Sequence, residues 1–350
     1  MPHGGLLDIG RDNAHVAETG GDLGERGDAG TVNAVVVTDK DARFHAALRG
    51  TSMRILLVHN PKAGSEEHEG EDFIKALKRA GHKATYQSSK KKGITKALKK
   101  KIDLVLVAGG DGTVSKVARR LVAMDSEVPL AVLPLGTANN FARSLGFCLS
   151  PKELIEQLND GKCDTFDVGL ARGPWGKRYF FEGAGAGLFA DYLRAPKRDE
   201  STSKAEAMRS HVKELRRRLQ TYRARQWEIE VEGSDLSGRY LLWHAMNIRS
   251  VGPVLTLAAD AKTNDGSFDF VGAREEDRAL LLDYFDARVA GKRRKFPLRP
   301  KRLTKMRLRW TKWPLHFDDE LWPAEDEKPP KQCEIELIVK NAALRIWRIE

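Results

Sequence analysis

Two short apolar strands, close together and each running straight into a glycine-bearing loop, confine this chain to very few folds. Leu104-Val105-Leu106-Val107-Ala108 breaks into Gly109-Gly110-Asp111-Gly112-Thr113. Leu130-Ala131-Val132-Leu133 ends in Pro134-Leu135-Gly136-Thr137-Ala138-Asn139-Asn140-Phe141-Ala142-Arg143. Between them Val114, Val117, Ala118, Leu121 and Val122 share one face at helical spacing. The pattern predicts an open α/β sheet, and such sheets bind ligands at the carboxyl ends of their strands.

The first loop is built for phosphate. Its glycines allow close backbone approach, so N–H groups can turn inward on an anion. The helix that follows adds the positive end of its dipole. Asp111 cannot favourably face phosphate alone; its natural partner there is a divalent cation carried by a nucleotide. A plain tight turn uses the same residues, and the second loop tips the balance.

Together, Gly109 to Thr113 and Pro134 to Arg143 resemble the diacylglycerol kinase catalytic domain family, which includes bacterial soluble lipid kinases and sphingosine kinases. The first motif is shared with NAD kinases; the second is far more specific. The resemblance covers Met53 to the C-terminus. It implies an α/β N-terminal domain of the NAD kinase/diacylglycerol kinase-like type, residues 53–165, and a mainly antiparallel β-sandwich domain, residues 166–350, whose C-terminal end can return to the first. Short strands at Lys177–Glu182, Gln226–Val231, Arg239–Ile248, Phe268–Val271, Lys305–Trp310 and Cys333–Val339 agree with the second domain.

The same resemblance implies site residues. Asn60 and Gly64 lie in an Asn-Pro-x-x-Gly loop after the first strand, and Ser89 matches a threonine that contacts ATP. With Gly109, Gly110, Asp111, Gly112, Thr113, Gly136, Thr137 and Asn139 they are expected to hold ATP, with Mg²⁺ organised by Asp111. Asp318-Asp319-Glu320 matches the family's Asp-Gly-Glu. Glu320 is then the general base and Asp318 its acidic neighbour, since a lipid hydroxyl must shed a proton as it attacks. Asp265, with the backbone carbonyls of Lys262 and Ser267, matches a structural Mg²⁺ turn, although Asn-Asp-Gly is also ordinary hairpin chemistry. Departures are Lys116 for a usual glutamate, Asn140 where aspartate is commoner, Asp319 for glycine at a place where glycine can take positive φ, and Val251-Gly252-Pro253 for a triple glycine.

The implied activity is phosphoryl transfer from ATP to a lipid hydroxyl, in a cleft between the domains where hinge closure excludes water. The rivals are an NAD kinase and a catalytically inactive lipid- or nucleic-acid-binding relative. The net charge of +11 sharpens the choice of partner. Residues 1–52 hold eight acids and five bases, so the basic excess lies beyond them. Residues 291–313 carry eleven Lys/Arg and no acid, which predicts contact with an anionic membrane surface. No recognised nucleic-acid motif accompanies this charge, so nucleic acid is disfavoured. A homodimer is compatible with the family.

Ser203 to Arg225 carries an apolar stripe, Met208, Val212, Leu215, Leu219 and Tyr222, against a basic face. Three widely spaced cysteines, Cys148, Cys163 and Cys333, suggest a reducing cytosol. No apolar run approaches the ~20 residues that span a bilayer, so the expected location is cytoplasmic with peripheral membrane association. Residues 1–52 lack any sustained period and read as a flexible extension or as sequence preceding a true start at Met53.

Overall fold

A computed structural model describes residues 51–350 apart from 65–68, 148, 196–202, 253–254, 293 and 350. The expectations for residues 1–50 lie outside the described residues.

The first lobe alternates strands and helices: β1 (Arg54–His59), α1 (Gly70–Arg79), β2 (Lys83–Ser88), α2 (Ile94–Leu98), β3 (Leu104–Gly109), α3 (Asp111–Ala123), β4 (Leu130–Pro134), α4 (Asn140–Ser144) and α5 (Pro151–Glu156). The strands pair in parallel in the order β2-β1-β3-β4. β3 is buried along its whole length, which is why its sequence is an unbroken apolar run rather than an alternation. The order reverses between β1 and β3, so the loops leaving those strands diverge and open a crevice. Asn60 N–H still reaches the carbonyl of Ala108 at 2.9 Å, fixing one strand end against the other.

The second lobe runs through β5 (Lys162–Gly173), β6 (Gly176–Phe180), β7 (Gly183–Gly187), α6 (Leu188–Arg194), α7 (Lys204–Thr221), β8 (Arg225–Val231), β9 (Ser234–Asp235) and β10 (Gly238–Met246). It continues with β11 (Ser250–Val251), β12 (Leu255–Thr256), β13 (Phe268–Arg274), α8 (Arg278–Val289), β14 (Lys301–Leu303), β15 (Lys305–Trp310), β16 (Leu315–Phe317), β17 (Glu320–Trp322) and β18 (Cys333–Arg348). Its strand pairs are antiparallel. The chain is therefore an α/β lobe followed by an antiparallel β-rich lobe.

β10 separates two cores. Tyr240, Trp243 and Ala245 enter one between strands; Leu241, Leu242 and Met246 enter another under the helices. Two consecutive leucines can face the same side because the register shifts between Tyr240 and Leu242, a bulge that resets the alternation. Over that second core α7 lays Val212, Leu215 and Leu219, all buried, with Met208 and Tyr222 at its margin. β18 joins the lobes: it pairs with β15, with β5 for most of its length, and with β4 at Ile346–Leu130.

Candidate active site

The two glycine loops pack backbone against backbone. A Cβ on Gly136 would stand 2.5 Å from the Cα of Gly110, so neither position has room for a side chain. Asp111, the first residue of α3, locks the pair: its Oδ1 accepts the N–H of Phe141 at 3.0 Å, in the first turn of α4. Burial raises the Asp111 carboxyl above its ordinary value, against the pull of these amides and of Arg143. Asn139 takes a left-handed conformation (φ 50). Its Oδ1 accepts the Gly136 N–H at 2.8 Å, and its Nδ2 donates to the Gly136 carbonyl at 2.8 Å. Its amide thus builds the loop, while Thr137 stands exposed at the tip. Thr113 is buried, filling the space a Cβ on Gly109 would need. Gly112 stays exposed at the start of α3.

The Asn-Pro loop shares this end of the sheet. Asn60 Oδ1 accepts the Lys62 N–H at 3.2 Å, and Gly64 takes φ 92 beside Leu135. Ser89 is buried and donates its N–H to the His59 carbonyl at 2.8 Å. Lys116 Nζ donates to the Ser89 carbonyl at 2.5 Å. Lys116 therefore ties α3 to the end of β2.

Across from α3 stands the acidic turn between β16 and β17. A Cβ on Gly112 would lie 3.3 Å from Asp319 Oδ2. Asp318 is buried, and its Oδ1 accepts the N–H groups of Phe181 at 2.9 Å and Glu182 at 2.7 Å. Ser115 Oγ donates to its Oδ2 at 3.2 Å, and Arg119 Nη2 lies 3.5 Å from the same oxygen. Burial pushes the Asp318 carboxyl up to about 6, against the pull of Arg119 and the amides. Glu320 is half exposed and pairs with Arg119 Nη1. So the two acids differ in kind: Asp318 is an internal brace, and Glu320 faces the cleft. The left-handed residue is Asp318 (φ 57), not Asp319; the family's glycine position carries no positive φ here, which removes the strain expected of Asp319. His316, buried and held neutral, stabilises this bend by donating Nδ1–H to the Asp318 carbonyl at 2.9 Å.

Three site neighbours, Glu182, Ser115 and Arg119, escaped the sequence reading, and Asn140 was singled out there without its role. Glu182 is buried among Asp111, Asp318 and Asp319, and burial first, then these carboxylates, raise its pKa strongly. Asn140 Nδ2 donates to Glu182 Oε2 at 3.2 Å and to the Gly252 carbonyl at 2.6 Å, so it joins α4 to the second lobe. Ser115 and Arg119 complete the set. With Asp111 they occupy positions i, i+4 and i+8 of one helix face, a spacing legible in the sequence. Glu182 was legible only as a lone acid between Phe180-Phe181 and a Gly-Ala-Gly run.

The Asp265 turn carries its own cation. Arg302 Nη2 lies 2.6 Å from Asp265 Oδ2 and 2.9 Å from Ser267 Oγ. Gly266 N–H donates to Asp167 Oδ2 at 2.6 Å, closing the turn from β5, and Lys262 is exposed. A guanidinium already neutralises the carboxylate expected to hold Mg²⁺, so these residues do not fit a structural metal. At the glycine loops the fit is better: Asp111 offers a carboxylate, and Mg²⁺ takes most of its oxygens from phosphate and water. Among the described residues no group of three His, Cys, Asp or Glu forms a protein metal cage.

Residues 54–171 match the family model of the diacylglycerol kinase catalytic domain. The chain is 29% identical over 244 residues to a diacylglycerol kinase of Bacillus subtilis (strain 168), covering 65% of this chain and 76% of that one. It is 25% identical over 252 residues to a diacylglycerol kinase of Staphylococcus aureus (strain MRSA252), covering 70% and 78%. A solved structure of a diacylglycerol kinase from Bacillus anthracis str. Sterne superposes with a TM-score of 0.62 at 18% identity, covering 85% of this chain and 97% of that one. Another solved chain from the same organism gives 0.66 at 20%, covering 85% and 95%. At such identity these two structures speak for the fold.

Proposed function

From a chain whose residues 54–171 belong to the diacylglycerol kinase catalytic domain family, and which is therefore a kinase, we propose an enzyme that transfers the γ-phosphate of ATP to a lipid hydroxyl, diacylglycerol or a related lipid. The observation that carries the reading is the approach of the acidic turn to the open start of α3, with Asp319 beside Gly112. It sets the acidic turn of Asp318, Asp319 and Glu320 against the start of a phosphate-binding helix.

Glu320 accepts the proton of the lipid hydroxyl. The hydroxyl oxygen forms a bond to the γ-phosphorus as the bond from that phosphorus to the β,γ-bridging oxygen breaks, and ADP leaves. The first-turn amides of α3 and the glycine loops hold the phosphates, with Thr137 at the loop tip. Asp111 would hold Mg²⁺ carried with the nucleotide, and the ion would neutralise charge on the phosphates. Arg119 spans both sides of the site: it pairs with Asp318 and Glu320 and also donates Nε–H to the Tyr179 carbonyl at 3.1 Å. It thus keeps the base at a fixed distance from α3, which is positioning of the kind that supplies most of the acceleration in phosphoryl transfer.

Among the described residues no helix is long and apolar enough to cross a membrane, so the lipid is met at a surface. The test is incubation with radiolabelled ATP and vesicles of a total lipid extract, with NAD in a parallel reaction. Label in a lipid supports the reading. Label in NAD with none in lipid replaces it with the NAD kinase alternative, and label in neither leaves a binding protein.

A further inference from the structure

Six of the eleven cations of the basic segment 291–313 are paired within the fold. Arg294 pairs with Asp283, Lys295 with Asp260, Arg302 with Asp265, Lys305 and Arg307 with Glu336, and Arg309 with Glu228. These are surface pairs, and two members of the segment, Arg309 and Lys312, also line a groove where further cations gather.

A groove of about 870 Å³ opens between the C-terminal end of α7, the start of β8 and the turn that follows β15. Seven cations line it, Arg217, Arg218, Arg223, Arg225, Arg239, Arg309 and Lys312, against the two carboxylates of Asp191 and Glu228. Arg217 and Arg218 share Glu214, and Arg225 is bound to Asp191. Among the described residues Arg223, Arg239 and Lys312 have no carboxylate partner. Two of the cations also crowd one ring: the Arg225 guanidinium lies 3.9 Å and Lys312 Nζ 4.7 Å from the centre of the Trp313 indole. Like charges drawn together on one concave face repel one another, and an anion seated between them removes that cost. Guanidinium forks match phosphate oxygens in pairs. An indole beside them suits the boundary between headgroups and acyl chains.

We propose that this groove is a second site, separate from the nucleotide loops, which binds the phosphate headgroup of an anionic phospholipid and seats the enzyme on the membrane. The groove's volume, about 870 Å³, is on the scale of one headgroup rather than of a nucleic-acid strand. Its position gives the contact a use. The 311–313 turn runs directly into β16, and β16 ends at the acidic turn. A bilayer held at Trp313 therefore lies one short strand away from Glu320. This use rests on the lipid kinase reading; the binding itself does not.

The experiment is flotation of the protein, without ATP, with vesicles of phosphatidylcholine alone or mixed with phosphatidylglycerol. The parent should float with the mixed vesicles and stay behind with the neutral ones. Arg223→Glu/Lys312→Glu should lower partitioning to the mixed vesicles at least about tenfold, since each basic residue near such a surface contributes on the order of a factor of five. Kinase activity on lipid dispersed in uncharged detergent should be unchanged in the same variant, which shows that it is folded. Equal flotation of parent and variant overturns the proposal, as does equal flotation of the parent with neutral vesicles. Displacement by millimolar glycerol phosphate reassigns the groove to a soluble phosphoester, and displacement only by an oligonucleotide reassigns it to nucleic acid; either overturns the lipid assignment. If flotation behaves as stated and no lipid is ever phosphorylated, the kinase reading fails while the surface stands.

Discussion

Asp318→Asn should make the protein more stable at neutral pH and less stable relative to the parent in acid. In the folded chain, burial raises this carboxyl from its ordinary 3.8 to about 6. A raised carboxyl contributes stability below the unfolded pKa, and that contribution is lost as pH rises through the folded one. About two pKa units at 1.36 kcal/mol each give a cost of about 3 kcal/mol above pH 6. Asparagine removes the charge, and its Oδ1 can still accept from Phe181 and Glu182. Its amide can donate to Ser115 Oγ, reversing the bond seen at 3.2 Å. The attraction of Arg119, 3.5 Å away, is already contained in that shift; the poorer hydrogen bonding of a neutral amide is set against it at about 1–2 kcal/mol. Glu182 loses a like-charged neighbour, which acts in the same direction as the main term. The net gain at pH 8 is then about 1–2 kcal/mol, or roughly 1–3 °C in Tm for a chain of this size. Thermal melts of parent and variant at pH 4.5, 6 and 8 provide the assay. The difference in Tm, variant minus parent, should grow steadily with pH. A difference that is flat, or that shrinks from pH 4.5 to pH 8, refutes the assignment of Asp318 as a buried acid carrying an unfavourable charge.

Three other outcomes are expected. Glu320→Gln keeps the hydrogen bond to Arg119 but cannot accept a proton, so kcat should fall ~10²–10⁴-fold with ATP binding unchanged by calorimetry; a larger loss in Asp318→Asn than in Glu320→Gln would exchange their roles. Asp111→Asn still accepts the Phe141 N–H, so the melting temperature should move by no more than about 2 °C while lipid phosphorylation drops at least about a hundredfold; undiminished turnover at saturating ATP and Mg²⁺ removes Asp111 from the mechanism. Arg302→Met exposes the Asp265 carboxylate, and Mg²⁺ should then raise the variant's Tm while the parent melts alike in Mg²⁺ and in EDTA; a parent that loses several degrees in EDTA restores the structural metal that the family resemblance implies.

What the sequence made legible follows the range of the interactions involved. The glycine loops, α3 and the strands of the first lobe are written in contiguous residues with strong periodicity, so local reading reaches them. β7 was not legible: Gly-Ala-Gly-Ala-Gly has no side chains to show an alternation, and its strand character comes from β10 and β16 on either side. There a Cβ on Gly185 would sit 2.5 Å from the Trp243 carbonyl, so the glycines exist to let three strands approach. α8 was equally hidden, because its buried Leu281, Tyr284 and Phe285 stand beside the exposed Leu280 and blur the apolar face. At the site, motif matching found Asp318 and Glu320 but could not divide their labour. That division is set by distant amides at Phe181 and Glu182 and by Arg119 on another lobe. The ion pairs of residues 291–313 were hidden for the same reason: their partners Asp260, Glu228 and Glu336 lie well away in sequence.

The way β18 is built also limits how the site can close. A cleft between two domains suggests a hinge, yet here the two lobes share a ladder. β18 runs from its pairing with β15 in the second lobe, along β5, to Ile346 against Leu130 in the first. Its last turn of sequence places Leu344, Ile346 and Trp347 in the first lobe's core. A rigid rotation of one lobe against the other would break those hydrogen bonds, each worth about 1 kcal/mol net and more where a buried group is left bare. The ladder does yield at one place, the register shift between Lys340 and Leu344, where Ala342 takes φ 50 and its N–H is held by Asp167. Arg119 and Asn140 add contacts across the cleft itself. Any closure of the site is therefore expected from parts smaller than a lobe, with Arg119 holding Glu320 in place across the cleft. On this account, substitutions of Arg119 act on kcat, by letting the base drift, far more than on the affinity for ATP.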